Sequence, residues 1–296
     1  MKRLDLSTLQ LVVLIADSGS LTAAARRASL TLAAVSKRLL DLEQRFGVML
    51  FERRASGTVP TEAGRALIAH ARQMLFDFER MQAEMSAFGE GRSGTVRLGA
   101  NASAMTQFLP EDLSAFAARR PAIRIDLTEL TSEAIVMRLI DGRLELGIFS
   151  STVAHLQIRA VAYRSDRLCI VVRSGTKLAR RRKIAFAELR GEPVVGLEPG
   201  SSLVQLLHEH ADGPFAMPVQ ARSFDVACRF VQAGLGVAVM PEGTARLYST
   251  AMGLAILALD EPWAHRELLL GSCSDDTLSA PARLLFDELS EASTTG

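Results

Sequence analysis

Four residues close together in the chain, Thr31, Ser36, Lys37 and Arg38, have the side chains that read and hold DNA. Lys and Arg can bond guanine, Ser can bond a base edge or a phosphate, and small apolar groups such as Leu32 and Ala33 can touch a thymine methyl. Arg53 and Arg54 follow at the end of Leu50-Phe51-Glu52. A cation pair there suits a phosphate backbone or a minor groove. A second set of polar residues lies far along the chain: Asn101, Ser103, Thr131, Ser132, Ser201 and Ser202. Hydroxyls and amides of that kind suit a small polar ligand.

The first set requires a helix to present it. Val35, Leu39, Leu42 and Phe46 recur at helical spacing and form an apolar stripe, with Gly47 as the stop. Thr31 stands where an N-cap belongs. Before it, Ser20 opens a short helix over Leu21–Ala28, in which Ala24, Ala25 and Ala28 give a thin face for close packing. Asp5-Leu6-Ser7 opens another, Leu6–Asp17, with Leu9, Val12, Val13 and Ala16 inward. Ala55-Ser56-Gly57-Thr58 is turn chemistry between two short extended stretches, so residues 50–60 predict a two-stranded ribbon.

From Glu62 a long helix is predicted to about Phe88. Leu67, Ala71, Met74, Phe78, Met81, Met85 and Phe88 alternate at four and three, a heptad seam that a lone helix cannot bury on itself. Gly89–Gly94 breaks it and reads as a hinge. Beyond Thr95 short apolar strands alternate with helices, which predicts parallel sheets covered by helices. Strands are expected at 96–98, 123–127, 146–149, 168–172, 194–197 and 237–240, and helices at 108–118, 131–140, 203–210, 224–232 and 281–291.

The run SGSLTAAARRASLTLAAVSKRLLDLEQRFGVMLFERR, with VPTEAG after it, resembles the N-terminal winged helix–turn–helix of LysR-type transcriptional regulators. The likeness continues through the whole chain. It implies an N-terminal all-α winged helix–turn–helix with a long linker helix, followed by an α/β two-lobed, periplasmic-binding-protein-like effector domain. The expected boundaries are 1–61 for the DNA-binding domain, 62–89 for the linker and dimerisation helix, and 90–296 for the effector domain. Within the last, lobe one takes about 94–163 plus 267–296 and lobe two about 164–266, since the family returns its C-terminal helix to the first lobe. The resemblance also implies that Leu67, Ala71, Met74, Phe78, Met81 and Met85 pack against the same helix of a second subunit. One departure stands out: family members often carry Gln-Pro or Gln-Ser where this chain has Leu32-Ala33, and Leu cannot make a bidentate adenine contact. Base contacts therefore carry over to Ser36, Lys37 and Arg38 alone.

In open α/β sheets ligands bind beyond the C-terminal strand ends, at helix N-termini. That rule selects Asn101, Ser103, Thr131 and Ser132 in the first lobe, Phe149 and Ser150 at the crossover, and Ser201, Ser202, Phe224 and Asp225 in the second. No Arg or Lys is evident in these turns, so a carboxylate would be held by helix dipoles and neutral donors.

Composition is consistent with two globular domains: 296 residues, 48% hydrophobic and 23% charged. Residues 1–60 hold nine Lys/Arg against five Asp/Glu, which puts +4 on the head and −3 on the rest of a chain of net charge +1. No signal peptide or membrane span is read, and Cys169, Cys228 and Cys273 have no metal or redox spacing, so buried reduced thiols and a cytoplasmic location are expected. Enzyme signals fail. Gly234-x-Gly236 lies in the wrong order for a dinucleotide fingerprint, there is no nucleophile elbow, and His208 and His210 are two apart on different helix faces. No cofactor and no metal is expected. The Arg180–Lys183 run reads as solvated surface. The expected partners are double-stranded promoter DNA, a small-molecule effector for which an anion is one candidate class, a second or further copies in a homodimer or homotetramer, and RNA polymerase. The competing class is a small-molecule-binding protein or enzyme whose helical module serves only oligomerisation; such a module needs no cationic outer face.

Overall fold

The computed structural model describes residues 4–54, 57–90, 93–154, 156–211, 213, 216–273 and 278–291, with the side chains of residues 53–54, 79–80 and 83–90 outside that set. The chain divides into two compact units, residues 1–89 with 141–143, and residues 90–140 with 144–296.

In the first unit α1 spans Leu6–Ser18, α2 Leu21–Arg27 and α3 Leu32–Phe46. Each starts where a short polar side chain accepts an amide its helix leaves unpaired. Asp5 accepts from Thr8 N at 2.7 Å, Ser20 from Ala23 N at 3.4 Å, and Thr31 from Ala34 N at 3.2 Å. Leu11, Val12, Ile15, Leu21, Ala24, Ala25, Val35, Leu39 and Leu42 close one core, to which Leu50, Phe51 and Ile68 add. Phe46, expected at the end of the stripe, is instead 45% exposed in the last turn of α3.

Strands β1 (Phe51–Arg54) and β2 (Gly57–Pro60) form the expected antiparallel ribbon, with Phe51 opposite Pro60. Thr58 N donates to the Gly19 carbonyl at 2.8 Å, tying β2 to the end of α1. Helix α4 then runs Glu62–Glu90. Thr61 accepts from Gly64 N and donates to the Met49 carbonyl at 2.7 Å. Gly64 is required here: a Cβ would stand 1.9 Å from the Leu50 carbonyl oxygen.

In the heptad seam, Met74 and Met81 are exposed and Phe78 is half-buried, while Leu67 packs against the head's core. Ala71 is fully buried within its own chain and has no surface left for a partner, which corrects its place in the seam. The side chains of Met85 and Phe88 lie outside the described residues, as do residues 91 and 92 of the expected hinge; the helix itself continues over Gly89.

The second unit carries β3 (Gly94–Ala100), α5 (Ala102–Gln107), α6 (Leu109–Arg119), β4 (Ile123–Glu129), α7 (Ser132–Ile140) and β5 (Leu146–Ser150). Next come β6 (Arg159–Arg173), β7 (Lys183–Ile184), β8 (Val194–Leu197), α8 (Ser202–Glu209), β9 (Val219–Ala221), α9 (Phe224–Gln232) and β10 (Val237–Pro241). The last elements are α10 (Glu242–Met252), β11 (Leu254–Leu259), β12 (His265–Ser272) and α11 (Ala280–Glu291). Strand order is β4-β3-β5-β12-β6-β10-β8-β9, with β11 on β6 and β7 on β11. β3 pairs in parallel with β4 and β5, and β8 with β9 and β10.

The strand expected at 168–172 is the last part of the much longer β6. Its first part pairs with β12, from Arg159 opposite Ser272 to Arg167 opposite His265; its last part pairs with β10 and β11. One strand thus belongs to two lobes, each with its own core. One core gathers Val96, Leu98, Phe116, Ile148, Tyr163, Leu268 and Leu285; the other gathers Ile170, Val195, Leu203, Cys228, Val239 and Leu257. α11 packs in the first core through Ala282, Leu285, Phe286 and Leu289. Burial pushes the Cys228 thiol up to about 11 and the Cys169 thiol higher, so both are inert; Cys273 is exposed, against expectation.

Candidate nucleic-acid interface and ligand cleft

The amphipathic division of α3 is as sharp as its sequence implies. Val35, Leu39 and Leu42 face the core, while Thr31, Leu32, Ala33, Lys37 and Arg38 are exposed and Ser36 is half-buried. Asp5 sits near Arg38: its carboxyl lies below the ordinary range, chiefly through the Thr8 hydrogen bonds and in smaller part through Arg38. Arg53 and Arg54 end β1, the first strand of the ribbon; their side chains lie outside the described residues.

The ribbon is anchored by a residue that sequence reasoning passed over. Glu43 is buried on α3, and its Oε1 accepts from Leu50 N at 2.7 Å and Phe51 N at 3.2 Å. An acidic residue eight positions ahead of a strand gives no local sign of this, because the strand has to fold back before the contact exists.

A cleft of about 250 Å³ opens in the second unit between the two lobes. Asn101, Ser103, Thr131 and Ser132 line it from one lobe and Ser201, Ser202 and Phe224 from the other. Asn101 caps α5, accepting from Ala104 N at 3.0 Å, and its Nδ2 donates to Ser132 Oγ at 3.2 Å. Ser132 Oγ also accepts from Ser150 N at 3.1 Å and lies 3.5 Å from Ser202 Oγ across the cleft. Thr131 and Ser201 accept from Ala134 N and Val204 N, so they cap α7 and α8. The first-turn amides of both helices therefore converge on one volume.

Three expected site residues lie outside the lining: Ser150, which is buried and reaches it only through its amide hydrogen bond to Ser132, Phe149 and Asp225. Phe149 is fully buried among Ile135, Leu139, Leu144 and Ile158, because alternation along β5 turns it away from its neighbour Ser150. Asp225 is exposed on α9 and does not line the cleft.

The expectation of a cleft without cations is also corrected, since Arg222 and Arg266 both line it, together with Glu129 and Glu198. Arg266 on β12 stands opposite Asp166 on β6 and holds it bidentately, Nε to Oδ1 at 2.9 Å and Nη2 to Oδ2. Both side chains are almost fully buried. Arg266 also donates to Ser103 Oγ at 3.1 Å, and Gln107 donates to Asp166 at 3.1 Å. The strands that link the lobes are thus cross-braced at the cleft floor. Glu129 and Glu198 end or follow strands near those expected, where the strand-end rule points; Arg222 follows β9, a three-residue strand that the sequence does not announce. Arg266 and Asp166 are a hundred residues apart and leave no local mark.

Elsewhere, Arg181 pairs with Glu188 and Lys183 with Asp260, both exposed, in keeping with a solvated basic loop. His210 stacks on Trp263 with centroids 4.8 Å apart. Among the described residues no group of three His, Cys, Asp or Glu could hold a metal, and no helix is long and apolar enough to cross a membrane.

Residues 6–65 match the family described as bacterial regulatory helix-turn-helix protein, lysR family, and residues 89–294 match the LysR substrate binding domain. The HTH-type transcriptional regulator CbbR of Rhodospirillum rubrum is 29% identical over 259 residues, covering 86% of this chain and 85% of that one. Among solved structures, full-length CbnR complexed with target DNA superposes with a TM-score of 0.69 at 21% identity, covering 97% of this chain and 99% of that one. The effector binding domain of QuiR in complex with shikimate gives 0.61 at 16% identity, covering 68% of this chain and 98% of that one. At these identities the structures speak to fold.

Proposed function

The chain belongs to the LysR family of DNA-binding transcriptional regulators, and from that premise we propose which of its residues meet DNA and which meet the effector. It is a regulator with an effector-binding domain, not an enzyme. Thr31, Ser36, Lys37 and Arg38 read or hold the major groove, and Arg53 and Arg54 reach the backbone or minor groove. The observation that carries this reading is the division of α3 between a buried apolar stripe and an exposed cationic face. An oligomerisation module would have no use for that face.

The effector occupies the cleft between Asn101, Ser103, Thr131, Ser132, Ser201, Ser202 and Phe224. It acts by binding two arrangements of the lobes unequally, with a coupling of about 1–3 kcal/mol, enough to tune DNA binding but not to create it. Met74, Phe78 and Met81 carry the seam of a homodimer or of a tetramer built from such dimers, since two heads match a two-fold site. The protein works in the cytoplasm, where promoter DNA and RNA polymerase are its partners.

Gel shifts at two salt concentrations test the DNA assignment. Lys37→Ala with Arg38→Ala should weaken promoter binding by roughly 1–3 kcal/mol for each base-reading cation. A lost phosphate contact should flatten the salt slope by about one unit. Parent-like affinity in the double variant would remove DNA contact from this face.

A further inference from the structure

Four charged side chains line the cleft, and they are not equivalent. Arg266 is neutralised by Asp166 behind it, so it contributes a fixed donor to Ser103 rather than a spare positive charge. Glu129, Glu198 and Arg222 are exposed and have no ion-pair partner among the described residues. The free charge of the lining is therefore two carboxylates and one guanidinium. The carboxylates come from opposite lobes, Glu129 ending β4 and Glu198 following β8.

The rest of the lining has the opposite character. The N-termini of α7 and α8 meet where Ser132 Oγ and Ser202 Oγ are 3.5 Å apart, and Thr131 and Ser201 cap them. First-turn amides and the positive ends of two helix dipoles favour an anion. Ser132 Oγ already accepts two hydrogen bonds, so its own proton is left for Ser202 Oγ, 3.5 Å away, or for a bound acceptor.

Resting on the reading of this cleft as the effector site, we propose that the effector is a small zwitterion, a carboxylic acid that also carries an amine. Its carboxylate sits between the α7 and α8 N-termini, with Arg222 adding to the attraction. Its ammonium sits against Glu129 and Glu198. A simple mono- or dicarboxylic acid would bring like charge toward that pair, and the cost of like charges in contact is what makes such a site selective. A metal is a poorer occupant, because no group of three ligating side chains gathers among the described residues. The Glu129 carboxyl lies above its ordinary range, first through burial and then through the charge of Glu198. An ammonium between the two would relieve that repulsion. The volume of about 250 Å³ sets the size at a small molecule of amino-acid scale.

The test is calorimetric titration of the full chain with the twenty proteinogenic amino acids and with the carboxylic acids that lack only their α-amine. At least one amino acid should bind at least tenfold more tightly than its deaminated counterpart. In Glu129→Gln with Glu198→Gln that preference should fall at least tenfold. Equal or tighter binding of the deaminated acids, tightening in the double Gln variant, or no binding by any amino acid would overturn the proposal. So would stabilisation by magnesium or calcium chloride alone that disappears in the same variant. Ser202→Val, which fills the cleft, separates this proposal from the reading beneath it. Amino-acid binding that survives Ser202→Val places the ligand outside the cleft and overturns both. Binding lost in Ser202→Val but indifferent to the Glu pair overturns only the zwitterion.

Discussion

In the DNA-binding head, Val35, Leu39 and Leu42 are inside while Lys37 and Arg38 are outside. The core supports the functional face without containing it. In the effector half the relation is reversed. Asn101, Ser103, Ser132, Asp166 and Arg266 are all buried, and they are the residues that shape and brace the cleft. A face that reads a groove can be built on a helix and tuned by single surface side chains. A cleft between lobes requires polar groups taken out of water, and each must find a partner contributed by another part of the chain. The two halves should therefore respond differently to mutation, the head in binding and the cleft in folding.

The largest expected effect follows from that contrast. Asp166→Ala leaves the Arg266 guanidinium buried without its carboxylate, which typically costs about 3–5 kcal/mol. Replacing both residues by apolar ones of similar size, Asp166→Leu with Arg266→Met, should recover much of the loss, because the penalty lies in the uncompensated charge. Trp263, the chain's single tryptophan, lies in the effector half and reports its urea unfolding by fluorescence. A cost below about 1 kcal/mol for Asp166→Ala would dissolve the contrast between the halves.

The head has one polar device of the same kind, and it sharpens the comparison. Glu43→Ala strands the amides of Leu50 and Phe51, a loss of about 1–3 kcal/mol. Glu43→Gln keeps an acceptor oxygen and should cost less. Hydrogen exchange at the Leu50 and Phe51 amides is the direct readout. Protection unchanged in Glu43→Ala would mean that the β1–β2 ladder and Thr61 hold the ribbon unaided.

The same contrast explains what the sequence could show. Helix caps, the α3 stripe and the ribbon turn are fixed by neighbours within a few residues, so Asp5, Ser20, Thr31 and Gly47 were readable where they stand. Caps at Asn101, Thr131 and Ser201 were readable for the same reason, and the strand-end rule brought most of the cleft lining with them. What escaped depends on pairing at long range. β6 reads as a short strand because its first part, Arg159–Arg167, has no period-two pattern, a run of Ala160-Val161-Ala162-Tyr163 followed by Arg164-Ser165-Asp166-Arg167, and gains its place only through β12. The Arg266–Asp166 brace and the Glu43 anchor likewise exist only once distant segments meet. Phe149 was misassigned because β5 is buried on both faces, where an aromatic residue gives no clue to which side it takes.

The smallest expected effect concerns Glu129 and tests whether the cleft holds like charges together. Its carboxyl lies above the ordinary range, through burial first and Glu198 second. The folded chain thus keeps a proton on Glu129 at a pH where the unfolded chain has released it. Stability then falls as pH rises from the ordinary carboxylate value toward the raised one, because the unfolded state binds fewer protons there. Above that window the ionised Glu129 remains a small penalty on the fold; below it the penalty is absent. Glu129→Gln cannot ionise, so its melting temperature should exceed the parent's at neutral pH and converge with it in acid. Much of the side chain is exposed, so solvent screening keeps the gain small. Glu198→Gln should give a gain of the same sign, and the two gains should add to less than their sum when combined, since either change alone removes the repulsion. A melting difference that is flat with pH, or gains that add fully, would mean that the two carboxylates do not sense each other, and the cleft would lose the feature that sets it apart from the solvated charges of the head.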